Sequence, residues 1–113
     1  MTNSQLPPLY DEPRLSQMIE ELGAATIATI LESLCRHADK SMESIKGFAE
    51  TGDIAALRRE AHSLKGAAAM ACATRLEAIA SRLEMNEGDA ALAVSQLHDC
   101  TTEMRGDLRN RQA

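Results

Sequence analysis

Between Ala24 and Glu50, apolar residues fall at Ile27, Ile30, Leu31, Leu34, Ala38, Met42, Ile45 and Phe48. Steps of three and four place them on one face of a helix of about seven turns. A helix of that length with a single apolar stripe is stable only if the stripe is buried against other helices or a sheet. A sheet is excluded by composition, because aromatic residues are only 2% of the chain (Tyr10 and Phe48) while Ala, Leu, Met and Glu abound. At 113 residues the chain is one domain, long enough to bury roughly two-thirds of its unfolded surface in one core.

The remaining punctuation is what a helical bundle needs. Residues 1–10, with Pro7 and Pro8, read as a loose, flexible N-terminal arm, and 11–113 as the folded domain. Asp11 can cap a short first helix from Glu12 to Leu22 that carries Leu15, Met18, Ile19 and Leu22 and ends at Gly23. The long second helix stops at Gly52, and Asp53 caps a third that runs from Ile54 to about Ala71, with Ile54, Leu57, Ala61, Leu64 and Ala68 inward. Thr74-Arg75-Leu76-Glu77 has the pattern of a capping box opening a fourth helix that buries Leu76, Ile79, Ala80 and Leu83. Asn86 to Gly88 form a turn, and Asp89 caps a last helix to about Arg109 that buries Val94, Leu97, Thr101, Met104 and Leu108. Four long helices on short turns predict an all-α, antiparallel up-down four-helix bundle, with the short N-terminal helix laid over one end.

Charge and cysteine usage remove several function classes. A net charge of −5 argues against nucleic acid, which needs a basic face. No apolar run reaches the roughly 18 residues of a membrane span, and no basic-then-apolar leader opens the chain, so a cytoplasmic location is expected. Cys35, Cys72 and Cys100 are odd in number and widely spaced, which suits small core fillers in a reducing compartment. Cys35-x-His37 and His98-x-Cys100 could suggest a metal, but helix residues two apart point about 200° from each other, so neither pair can share an ion, and no metal is expected. The six methionines read as adaptable core filler, with Met70 the exception because of its helix. His37 and His98 read as exposed helix residues, and Arg105-Gly106-Asp107 as ordinary helix.

The chemistry concentrates in Glu60-Ala61-His62-Ser63-Leu64-Lys65-Gly66. On a helix, residues three and four away from His62 are its surface neighbours, and these are Arg58, Arg59, Lys65 and Gly66. Gly66 inside a helix costs about 1 kcal/mol relative to Ala, so something should compensate. Its missing side chain leaves one flank of His62 open, while Lys65 and the arginines can pair with phosphate oxygens. The register puts His62 at the border of the apolar stripe, with Ala55, Arg58, Lys65, Gly66 and Ala69 along the same exposed strip. A nucleophilic nitrogen ringed by positive charge suits a histidine that carries a phosphoryl group. There is no P-loop, no nucleotide-binding domain, no Ser-His-Asp or Cys-His arrangement with an orienting group, and no Glu-x-x-His pair, so the group must come from another protein and leave to another.

The run Ala61-His62-Ser63-Leu64-Lys65-Gly66, followed by Ala67, Ala68 and Ala69, resembles the histidine-containing phosphotransfer (HPt) domains of multistep phosphorelays. Gly52-Asp53, Leu57 and the segment from Leu76 to Glu84 extend the resemblance over most of the chain beyond the first helix. One departure is Cys72, ten residues after the histidine, where the family usually has glycine. The resemblance implies a stand-alone carrier that accepts a phosphoryl group on His62 from a receiver-domain aspartate of a hybrid sensor kinase and passes it to a response regulator. Lys65 would stabilise the phosphate and Gly66 give access, with Arg58, Arg59, Ala55, Ala69 and Met70 meeting the partner. It implies no cofactor on this chain, Mg2+ only on the receiver, and no autonomous kinase activity; a monomer is the default. The alternative is an HPt-like bundle that binds and inhibits a kinase or receiver without being phosphorylated, and retention of His62, Lys65 and Gly66 together counts against it.

Overall fold

The structure, a computed structural model, describes residues 6–85 and 88–112, and among these it contains five helices and no strand. They are α1 (Glu12–Leu22), α2 (Ala24–Thr51), α3 (Ile54–Met70), α4 (Thr74–Glu84) and α5 (Ala90–Gln112). Helix α2 packs on α3, α3 on α4, α4 on α5 and α5 back on α2, closing a four-membered ring of helices, with α1 laid against α2. The fold is therefore all-α, the helical bundle expected from the sequence. At ~1.5 Å per residue the 28 residues of α2 account for nearly the whole 43 Å long axis.

The core is built from the predicted stripes. Leu31, Leu34, Ala38 and Ile45 of α2 meet Leu57, Ala61 and Leu64 of α3, Leu76, Ile79 and Leu83 of α4, and Leu97, Met104 and Leu108 of α5, all buried. Cys35, Cys72 and Cys100 are buried free thiols. Burial raises the thiols of Cys35 and Cys100, the latter to about 12, so both are inert fillers rather than nucleophiles. Ile30 and Ile54, expected inside, are instead exposed. Ile27, Leu31, Leu34, Cys35, Ala38, Met42 and Ile45 already fill the α2 seam and leave Ile30 on its flank, while Ile54 is the first residue of α3.

Local caps hold where no tertiary contact competes with them. Asp11 Oδ1 accepts from the Arg14 amide at 3.3 Å, Asp53 Oδ1 from Ala56 at 3.1 Å and Asp89 Oδ1 from Ala91 at 2.9 Å. Gly52 ends α2 with φ of 74°, the left-handed conformation that glycine adopts without penalty. The turn expected over Asn86 to Gly88 has its first two residues outside the described ones; Gly88 closes it at φ 76°.

Two expectations give way at the start of α4. Thr74 is not the cap of a capping box: Ala73 occupies that position, and the Thr74 hydroxyl donates to the Pro8 carbonyl at 2.7 Å. Residues 6–10, read from the sequence as part of a loose arm, lie against the bundle; residues 1–5 of that arm fall outside the described residues. The Leu9 carbonyl accepts from the Arg75 amide at 3.5 Å and the Pro7 carbonyl from Arg75 Nε at 2.9 Å, while Tyr10 is buried beneath Arg111. The two prolines lack N–H donors but keep their carbonyls, and these take the side-chain donors of Thr74 and Arg75, while the Leu9 carbonyl takes one of the unpaired backbone donors at the N-terminus of α4.

Cys72 resolves the one departure from the family pattern. Its φ is 60°, and it is the one non-glycine residue at positive φ among those described. The chain thus makes the glycine-type turn with a cysteine, at a cost of about 1–2 kcal/mol. The buried side chain, with Sγ 3.3 Å from Met18 Sδ, and a carbonyl that accepts from the Asp11 amide at 2.9 Å offset that cost.

Candidate functional site

His62 sits on the third turn of the outward face of α3, flanked by Ala61 and Leu64, which are fully buried and set the rotation of the helix. Its side chain is 76% exposed. Ring nitrogen Nδ1 is bonded to Glu84 Oε2 at the end of α4, while Nε2 has no partner among the described residues. Lys65, one turn on, donates to the other oxygen of the same carboxylate, Nζ to Oε1 at 3.1 Å. These two hydrogen bonds, the one from Lys65 being the stronger influence, hold the Glu84 carboxyl below the usual carboxylate range.

The cationic surround divides in two. Arg58 Nε donates to the Glu84 backbone carbonyl at 2.7 Å, satisfying one of the last orphan carbonyls of α4. Arg59 is exposed and makes no hydrogen bond or ion pair among the described residues. Arg59 is therefore uncommitted, whereas Lys65 and Arg58 are already engaged with Glu84. Glu84 is the residue that sequence reasoning missed as part of the site: 22 positions separate it from His62, and no local spacing rule joins residues on different helices.

Gly66 lies on the exposed side, and a Cβ added there meets nothing within 4 Å. Nothing inside the protein requires a glycine at this position. Ala55 is exposed and Ala69 half-buried, and Met70 is 80% exposed, the most exposed large apolar side chain among the described residues. Met70 lines a groove of about 430 Å³ between α2 and α3, together with Ile30, Ser33, Leu34, His37 and Ala67. His37 is thereby half-buried at a groove wall rather than freely exposed; the opposite wall, from Ala67 and Met70 of α3, could not be read from α2 alone. A cleft of similar size among Ile19, Ala28, Leu31 and Leu108 lies between α2 and α5 and carries no nucleophile. Among the described residues no three His, Cys, Asp or Glu side chains are grouped to hold a metal ion, and no helix is long and apolar enough to cross a membrane.

Chemically the arrangement offers one bare imidazole nitrogen to solvent, oriented by a carboxylate, beside cations and a helix surface stripped of side chains at Gly66. A family model for the Hpt domain matches residues 15–111. No curated protein and no solved structure matches the chain.

Proposed function

The chain belongs to the Hpt domain family, and with it to phosphotransfer in phosphorelay signalling; from this premise we propose that His62 is the phosphoryl carrier between two receiver-type partners. The observation that carries the reading is the exposed ring of His62 with Nε2 unpartnered. In the forward step the Nε2 lone pair attacks the phosphorus of an aspartyl phosphate on the receiver of a hybrid sensor kinase. The P–O bond breaks and its electron pair stays on the aspartate oxygen. The reverse chemistry on a response regulator's aspartate unloads the ring. The transferred group is largely stabilised by charge and position, so Mg2+ on the receiver would meet it from one side and Arg59 and Lys65 from the other.

Docking falls to the face that already surrounds the ring. Gly66 lets a partner's active site close over His62, and the groove of Ile30, Ala67 and Met70 offers an apolar seat beside it. We place this carrier in the cytoplasm as a monomer, since no part of its mechanism needs a second copy.

The test is transfer of label from a phosphorylated receiver domain to this protein and to His62→Gln. Acid-labile, base-stable label on the wild type alone is the expected result. Label on neither protein across a panel of receivers, with docking retained, would replace transfer by the inhibitory binding role.

A further inference from the structure

Cysteine and methionine sulfurs are spread along the chain, and solvent reaches them very unevenly. Cys35, Cys72 and Cys100 are buried free thiols. Burial raises the thiols of Cys35 and Cys100 and so withholds the thiolate that an oxidant attacks. Met42 and Met104 lie in the core, and Met18 is half-buried with its sulfur against Cys72. Met70, 80% exposed, and Met85, 61% exposed, are different. They are the most exposed large apolar side chains among the described residues, and both border the site. Met70 lies about two turns beyond His62 on α3, and Met85 follows Glu84, whose carboxylate holds the ring.

Leucine at position 70 would be equally apolar and indifferent to oxidants, whereas a mild oxidant turns a thioether into a polar sulfoxide. We propose that Met70 is a modification site for oxygen-transferring oxidants of the hydrogen peroxide class, and that its sulfoxide closes the groove between α2 and α3 to a receiver. This rests on the reading that receivers dock there. In the step itself the sulfur lone pair attacks one peroxide oxygen and the O–O bond breaks. The electron pair of that bond leaves on the other oxygen, which takes the proton of the first and departs as water. Sulfur is oxidised by two electrons and the peroxide is reduced by two. The new oxygen is a hydrogen-bond acceptor on the rim of a groove whose apolar lining includes Ile30, Leu34, Ala67 and Ala71. An apolar partner surface closing over it strips its water and offers no donor in return. The imidazole of His62 is not altered by the step.

Peroxide treatment of the full chain, followed by peptide mass mapping, locates the added oxygens. Two loading reactions then separate chemistry from docking. Phosphoramidate loads His62 with no partner, the ring displacing ammonia as the P–N bond breaks, while a phosphorylated receiver must dock first. Oxygen should appear on Met70 and Met85 before Met18, Met42 or Met104. Transfer from the receiver should slow by roughly tenfold, the order expected when an unpaired polar group is buried in an apolar contact, with phosphoramidate loading unchanged. Methionine sulfoxide reductase should restore the rate. Met70→Leu, which keeps the volume, should transfer at near the wild-type rate before and after peroxide, whereas Met85→Leu should stay as sensitive as wild type. Oxidised wild type that transfers at its untreated rate overturns the proposal, as does a Met70→Leu variant that peroxide slows equally. If untreated wild type binds receivers but takes no label from them, the relay reading fails and the same variants decide the proposal by binding; if it binds none, both fail.

Discussion

Helices α3 and α4 are tied together twice, and the two ties have opposite character. At the His62 end they are joined on the surface by Glu84, which meets His62, Lys65 and Arg58 across an exposed seam. At the other end the connection turns through buried Ala71, Cys72 and Ala73, covered by α1 and by residues 6–10. Exposed ion pairs contribute little to stability, a median of about 0–1 kcal/mol, whereas a dry, strained turn cannot be altered without changing the fold's energy. The proposed chemistry lies where the interactions can be rearranged cheaply, and the stability where they cannot.

The sharpest way to break this contrast is at Cys72. A β-branched side chain tolerates φ of 60° poorly, so Cys72→Val should lower the unfolding free energy by about 3 kcal/mol, from backbone strain and overpacking combined. Denaturant unfolding measures it, while phosphoryl transfer per folded molecule should be unchanged. Cys72→Gly relieves the strain and loses the buried side chain, and should fall within about 1 kcal/mol of wild type.

Gly66 on α3 and Gly47 on α2 make a matched pair. Both are inside helices, and an added Cβ meets open space at each. Either one changed to Ala should stabilise the fold by about 1 kcal/mol. Only Gly66→Ala should also slow transfer from a receiver, because only that position lies beside His62. Equal transfer rates in the two variants would mean that access past Gly66 does not matter.

Thr74→Val removes the hydroxyl that holds Pro8 and should cost about 1 kcal/mol in a denaturant melt with no effect on transfer. The smallest effect is expected from acid. The folded-state pKa of Glu84 is lowered, so its contribution is fully present above the ordinary glutamate pKa of about 4.3 and is lost as pH falls through the depressed value. A Glu84→Gln variant should therefore differ from wild type in its stability profile at neutral pH and converge on it in acid. The convergence should lie below the ordinary carboxylate range.

Much of this was legible before any coordinates, and the parts that were not share a cause. The helix limits from Glu12 to Leu22 follow from Asp11 and Gly23, residues adjacent in sequence to what they punctuate. His62, Lys65 and Gly66 share one helix face, so the 3.6-residue period brings them together without tertiary information. The capping box at Thr74 was equally local, yet a carbonyl 66 residues away took the hydroxyl. Propensity and capping patterns cannot anticipate a competitor from a distant segment.

By itself, then, the amino-acid sequence determined the helical class, the element order and the helix face that His62, Lys65 and Gly66 share, because periodicity and caps act within a few residues. Only the tertiary structure decided that Glu84 grips Nδ1 and leaves Nε2 bare, that Arg58 is spent on the end of α4, and that Cys72 stands in for a glycine. Each of those depends on the angle and register at which one helix packs against another, which is set by the whole core and written at no single position.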